Sequence, residues 1–194
     1  MVLLLNDKQT MQVFLYRYDA AGSLLDGGWL VTGGSDKDDK VLSSVVKFAN
    51  NQWQEHSSMP NGVRGHCQVT VGGNVFVIGG ESDQRAVSSV YKLIGDSWTE
   101  ISSIKIARTG HMCSVLNGVI YVMGGIGDGE YLTSVETLPC GSDDWKEGPP
   151  LPGPVTLGQS VVNGNTVLVM GGYISSGLNE GNANIYRSLG YGRG

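Results

Sequence analysis

Hydrophobic and polar positions along the chain fall into one pattern that occurs four times. A short apolar run ends in two adjacent glycines: Trp29 to Gly34, Val75 to Gly80, Ile120 to Gly125 and Val167 to Gly172. The first glycines of the pairs, Gly33, Gly79, Gly124 and Gly171, lie 46, 45 and 47 residues apart. Runs of this length, rich in β-branched and aromatic residues and closed by glycine, predict buried strands. The paired glycines stop each strand, because a sharp turn that needs positive φ costs glycine little.

The same period governs the residues around each run. Asp26-Gly27 and Asn117-Gly118 separate apolar segments and predict tight hairpins, and Gly72-Gly73-Asn74 and Asn163-Gly164-Asn165 stand at the matching places. A polar loop follows each glycine pair, at 35–42, 81–87, 126–131 and 173–182, and another apolar strand follows each loop. Trp53, Trp98 and Trp145 then recur in step, and Met59-Pro60 and Leu151-Pro152 close two of the units. Four short strands per unit predict a small twisted antiparallel sheet that cannot bury both faces alone. Its neighbours must stack on it, and a radial stack of such sheets is a β-propeller.

The expected organisation is a divergent strand segment over 1–19 and a repeat region over 20–194, with units near 20–60, 61–106, 107–152 and 153–194. The fourth unit reaches only Ile185-Tyr186-Arg187 before the chain ends short of a tryptophan strand. Gln12 to Tyr18 alternates like a strand but has no place in the first unit. An incomplete ring is therefore expected, with the chain a fragment of a larger propeller. The alternative is closure, with residues 12–18 pairing beside 182–188.

These residues resemble the kelch repeat. The resemblance rests on the four glycine pairs (33–34, 79–80, 124–125, 171–172), Tyr121 upstream of one pair, the three tryptophans and the two closing prolines. It implies an all-β kelch-type propeller of about four blades, with the post-glycine loops on one face. Kelch domains in cullin-ligase adaptors are similar in using arginine, serine, tyrosine and asparagine on that face to bind proteins. The implied function is protein–protein interaction, with substrate recognition for a larger adaptor as one form of it and a cytoskeletal scaffold as an alternative. Galactose oxidase is similar in architecture and holds copper with tyrosine and histidine ligands, one tyrosine being linked to a cysteine, which leaves an enzyme built on the same ring as the other alternative.

Composition alters this picture little. The 194 residues carry 30 glycines and a net charge of −5. There is no long basic cluster to recommend nucleic acid and no apolar run long enough for a membrane span. The opening apolar residues are too few for a signal-peptide core, and no Asn-x-Ser/Thr sequon occurs, a lean toward the cytoplasm. Cys67, Cys113 and Cys140 lack metal-ligand spacing, and Cys67 and Cys113 are expected as reduced strand residues. His66 and His111 share one repeat register, which favours an inter-blade structural role over metal binding or catalysis. No cofactor, metal or catalytic constellation is expected. Recognition is expected from the loop face, where the candidates are Asp36, Asp38, Arg64, Glu81, Asp83, Arg85, Arg108, Asp128, Glu130, Tyr131, Tyr173 and Asn179.

Overall fold

A computed structural model describes residues 16–173 and 186–187 of the chain. No helix occurs among them. The first sheet runs β1 (Ala21–Leu25), β2 (Gly28–Thr32), β3 (Val45–Ala49) and β4 (Gln52–His56) in chain order. In the second, β5 (Cys67–Val71) and β6 (Asn74–Ile78) are followed by a small hairpin, β7 (Glu81–Ser82) and β8 (Arg85–Ala86), before β9 (Val90–Ile94) and β10 (Ser97–Glu100) complete the sheet. The third repeats this plan with β11 (Met112–Leu116), β12 (Val119–Met123), the hairpin β13 (Ile126–Gly127) and β14 (Glu130–Tyr131), then β15 (Val135–Pro139) and β16 (Lys146–Gly148). The fourth contains β17 (Gln159–Asn163), β18 (Thr166–Met170) and β19 (Tyr186–Arg187). All pairings are antiparallel.

The turns are those the residues dictate. Asp26 and Gly27 (φ 49 and 72°) and Asn117 and Gly118 (φ 51 and 74°) have positive φ at both central positions, as the strand twist demands of a two-residue hairpin. The eight glycines of the four pairs all lie at positive φ as well, between 57 and 103°. A second constraint acts on the first three pairs. Each second glycine donates its N–H to the next unit: Gly34 to Val63, Gly80 to Arg108 and Gly125 to Val155, each at 2.8 Å. A Cβ on Gly124 would overlap the Val155 carbonyl oxygen, and one on Gly79 would come within 2.9 Å of the Arg108 carbonyl oxygen. Among the described residues, Gly171 has no atom that close. The pairs thus serve as docking points for the following blade as well as strand stops.

The core lies between the sheets. Leu30, Val45, Val75, Val77 and Tyr91 fill the space between blades one and two. Ile78, Val90, Ile120, Val122 and Trp145 fill that between two and three, and Met123, Val135, Val167 and Val169 that between three and four. The first strands β1, β5, β11 and β17 pack against one another in succession and so form the inner side of the arc. Trp98 Nε1–H donates to the Ser57 carbonyl of blade one, and Trp145 Nε1–H to the Ser102 carbonyl of blade two. These two tryptophans brace adjacent blades. Trp53 is half-buried and packs on Phe48 of its own sheet, with ring centroids 5.2 Å apart.

Three expectations change. Cys67 and Cys113 are not free thiols: they form a disulfide joining β5 to β11, with Cα atoms 5.9 Å apart, because the inner strands of neighbouring blades run side by side there. The loops at 81–86 and 126–131 contain hairpins rather than irregular chain. Residues 17–19 belong to the first blade, since Tyr18 pairs with Ser35 as Arg64 does with Glu81 and Thr109 with Ile126. No closed ring is found among the described residues. Most of the segments 12–18 and 182–188 lies outside them.

Candidate functional site

The loop face is built on one repeated backbone device. Gly65 N–H donates to the Asp19 carbonyl at 2.9 Å, Gly110 to Gly65 at 2.8 Å and Leu157 to Gly110 at 2.7 Å. Asp19, Gly65, Gly110 and Leu157 share this register, and all lie near φ 55 to 62°. This chain of hydrogen bonds fixes the inner rim. It borders an opening of about 290 Å³ whose wall includes Asp19, Arg64, Glu81, Thr109 and Leu157.

Arg64 stands at this rim, partly exposed. Its Nε and Nη2 donate to Glu81 Oε1 at 3.0 and 2.6 Å, and Nη1 donates to Asp39 Oδ1 at 2.5 Å. Tyr18 donates its hydroxyl to the same Asp39 oxygen. Glu81 raises the pKa of Arg64, and the Tyr18 hydroxyl, ahead of Arg64, lowers that of Asp39. Asp39 and Tyr18 are members of the cluster that sequence reasoning missed; their contact spans 21 residues and leaves no local signal.

Arg108 does not join the rim. Its side chain has no exposure, because Arg108 follows the register of Arg17 rather than that of Arg64. Its guanidinium donates to the carbonyls of Gly124 (2.9 Å) and Ser134 (3.0 Å), to Ser134 Oγ (2.9 Å) and to Glu136 Oε1 (2.8 Å). Arg17 does the same in blade one, reaching the carbonyls of Gly33 and Ser44 and the Ser44 hydroxyl at 2.8 to 2.9 Å. Burial lowers the pKa of both arginines. Each one braces its own blade.

The other candidates are dispersed along the loops. Asp36 accepts the N–H groups of Asp38 and Lys40 and shapes its own turn. Asp38 is exposed and paired with Lys37 at 2.8 Å. Asp83, Arg85, Asp128 and Glu130 are exposed at the hairpin tips, Tyr131 is half-buried and Tyr173 is exposed. Asn179 lies outside the described residues.

His66 and His111 are buried between neighbouring blades. His66 Nε2 and Thr32 Oγ1 are 2.8 Å apart, and Thr32 donates to Gln68 Oε1 at 2.6 Å, so His66 is the donor to Thr32. His111 Nε2–H donates to the Ile78 carbonyl at 3.1 Å. Each imidazole lies under the first glycine of the preceding blade's pair, Gly33 or Gly79. Burial pushes their pKa values down, to about 4 for His66 and about 3 for His111. Among the described residues, no three His, Cys, Asp or Glu side chains gather to hold a metal ion. No helix among those residues is long and apolar enough to cross a membrane.

A family model for the Kelch motif matches residues 107–152, the third blade. The chain carries a kelch repeat. The solved structure of YjhT is similar over 86% of this chain, with a TM-score of 0.72 and 16% sequence identity. At that identity the likeness shows the fold, a kelch-type propeller. This chain covers 61% of the length of YjhT. No curated protein matches the sequence.

Proposed function

We propose that this chain is a non-enzymatic protein-interaction module whose partner meets the loop face of the kelch blades. The observation that carries the reading is the contrast between a rigid base and varied loops. Inter-blade hydrogen bonds, a disulfide and three apolar cores fix the strands. The segments above them, 35–40, 81–86 and 126–131, differ in sequence and expose their charged tips. Variable loops on a rigid scaffold suit recognition. The Tyr18–Asp39–Arg64–Glu81 cluster ties the first loop to the second and gives that face a set shape.

The copper-oxidase alternative loses its tyrosine–cysteine component at Cys67 and Cys113, since both sulfurs are engaged with each other. The test uses the protein as bait with two triple variants. Asp38→Lys, Asp83→Lys and Glu130→Lys alter the loop face; Gln54→Lys, Glu55→Lys and Glu100→Lys alter the outer strands. The reading expects the outer-strand variant to retain a partner that the loop variant loses. Retention by both, or stoichiometric copper with oxidase turnover in the purified protein, contradicts it.

A further inference from the structure

Blades one and three each bury an arginine in an equivalent slot, and blade two does not. The position of Arg17 and Arg108 is held in blade two by Val63, two residues before the rim glycine Gly65 just as Arg108 precedes Gly110. The acceptors survive. Ser89 is the counterpart of Ser44 and Ser134, and its carbonyl accepts the Gly79 N–H at 2.9 Å as theirs accept Gly33 and Gly124. In blades one and three the same carbonyl also takes a guanidinium N–H, and the serine hydroxyl takes a second. In blade two Tyr91 replaces Glu136, and its hydroxyl accepts from Asn61 Nδ2 at 2.9 Å.

The shorter Val63 leaves a cavity here of about 650 Å³, within the size range of ligand pockets. Asn61, Val63, Ser89 and Tyr91 line it, with Asp83 and Arg85 of the hairpin beside it. It therefore opens on the loop face, where acidic residues outnumber basic ones across 35–40, 81–86 and 126–131. Blade one shows that no carboxylate is needed: Arg17 is held by two carbonyls and a hydroxyl.

We propose that the blade-two cavity is an arginine-binding slot, which takes the guanidinium of an arginine side chain from a protein partner where Arg17 and Arg108 sit in the adjoining blades. This rests on the interaction-module reading and adds the chemistry of the partner. A planar fork suits two acceptors on one residue, the Ser89 carbonyl and hydroxyl, whereas an ammonium satisfies them poorly.

The experiment is an NMR titration of the whole protein with N-acetyl-arginine methylamide and, separately, its citrulline counterpart. The arginine probe is expected to shift the amides of Asn61, Ser89 and Tyr91, and the neutral probe to bind about tenfold more weakly, the scale of one charge-assisted hydrogen bond. Val63→Arg should fill the slot from within and abolish binding without lowering the melting temperature. Ser89→Ala should weaken the arginine probe by about tenfold and decides the matter if Val63→Arg does not fold. Unmoved amides in the parent protein, equal affinity for the two probes, or undiminished binding to Ser89→Ala would overturn the slot. A partner that depends on the loop face while the arginine probe stays silent defeats the slot alone and leaves the interaction-module reading standing.

Discussion

Replacing Arg108 by methionine tests how the blades are held. Methionine keeps much of the aliphatic bulk and removes the guanidinium, so five hydrogen bonds disappear: to Ile106, Gly124, the carbonyl and hydroxyl of Ser134, and Glu136. The largest consequence falls on Glu136, which is 2% exposed and loses the cation it pairs with. The backbone N–H groups of Lys105 and Ile106 still reach its carboxylate at 2.6 and 3.1 Å, which places the cost toward the lower end of the range for a broken buried pair. That range is about 3–5 kcal/mol. For a domain of this size the loss corresponds to a fall in Tm of roughly 6–20 °C. Urea unfolding followed by tryptophan fluorescence measures it, with an unchanged slope confirming that the transition still exposes the same surface. Glu136→Gln should cost less, because the amide oxygen can still accept and Arg108 keeps its neutral acceptors. If Arg108→Met lies within about 1 kcal/mol of the parent, well below that range, the brace is not a brace.

Other outcomes follow from the same contacts. Trp145→Ala should cost about 3–5 kcal/mol as a buried aromatic, and the half-buried Trp53 less, by thermal denaturation. Gly124→Val should prevent native folding, read as loss of a cooperative transition, because the residue has φ 63° and a Cβ there overlaps the Val155 carbonyl. His66 and His111 are neutral in the fold, so the unfolded chain takes up their protons first. Stability is therefore full above pH 6.5 and falls as pH drops toward about 4 and about 3; a Tm flat between pH 7 and 4 would contradict this.

Strands, turns and the repeat were legible because each is encoded locally. Asp26-Gly27 and Asn117-Gly118 adopt the turns their types require, and the glycine pairs stop strands where expected. What could not be read lies in contacts between residues far apart in the chain. Arg17 stands in a segment with no visible repeat register, because Asp19-Ala20 takes the place of Gly65-His66 and Gly110-His111, with Asp19 filling the left-handed position that glycine holds in blades two and three. Aspartate tolerates that conformation better than most residues. Arg64 and Arg108 look alike near their histidines, yet one residue of offset sends Arg64 to the rim and Arg108 into the core. Cys67 and Cys113 stand one and two residues after their histidines, and only the packing of β5 on β11 brings them together. The blade-two cavity had no sequence signal either, since Val63 is notable only beside Arg17 and Arg108 in space.

If partners meet the loops above the glycine pairs, binding must slow amide exchange there and not on the outer strands. Hydrogen exchange of the protein alone, and in complex with a partner retained from the bait experiment, reads this residue by residue. New protection is expected to concentrate in residues 35–40, 81–86 and 126–131, with β4, β10 and β16 unchanged. Protection on those outer strands, with the loops exchanging as before, would place the partner elsewhere and refute the loop-face reading.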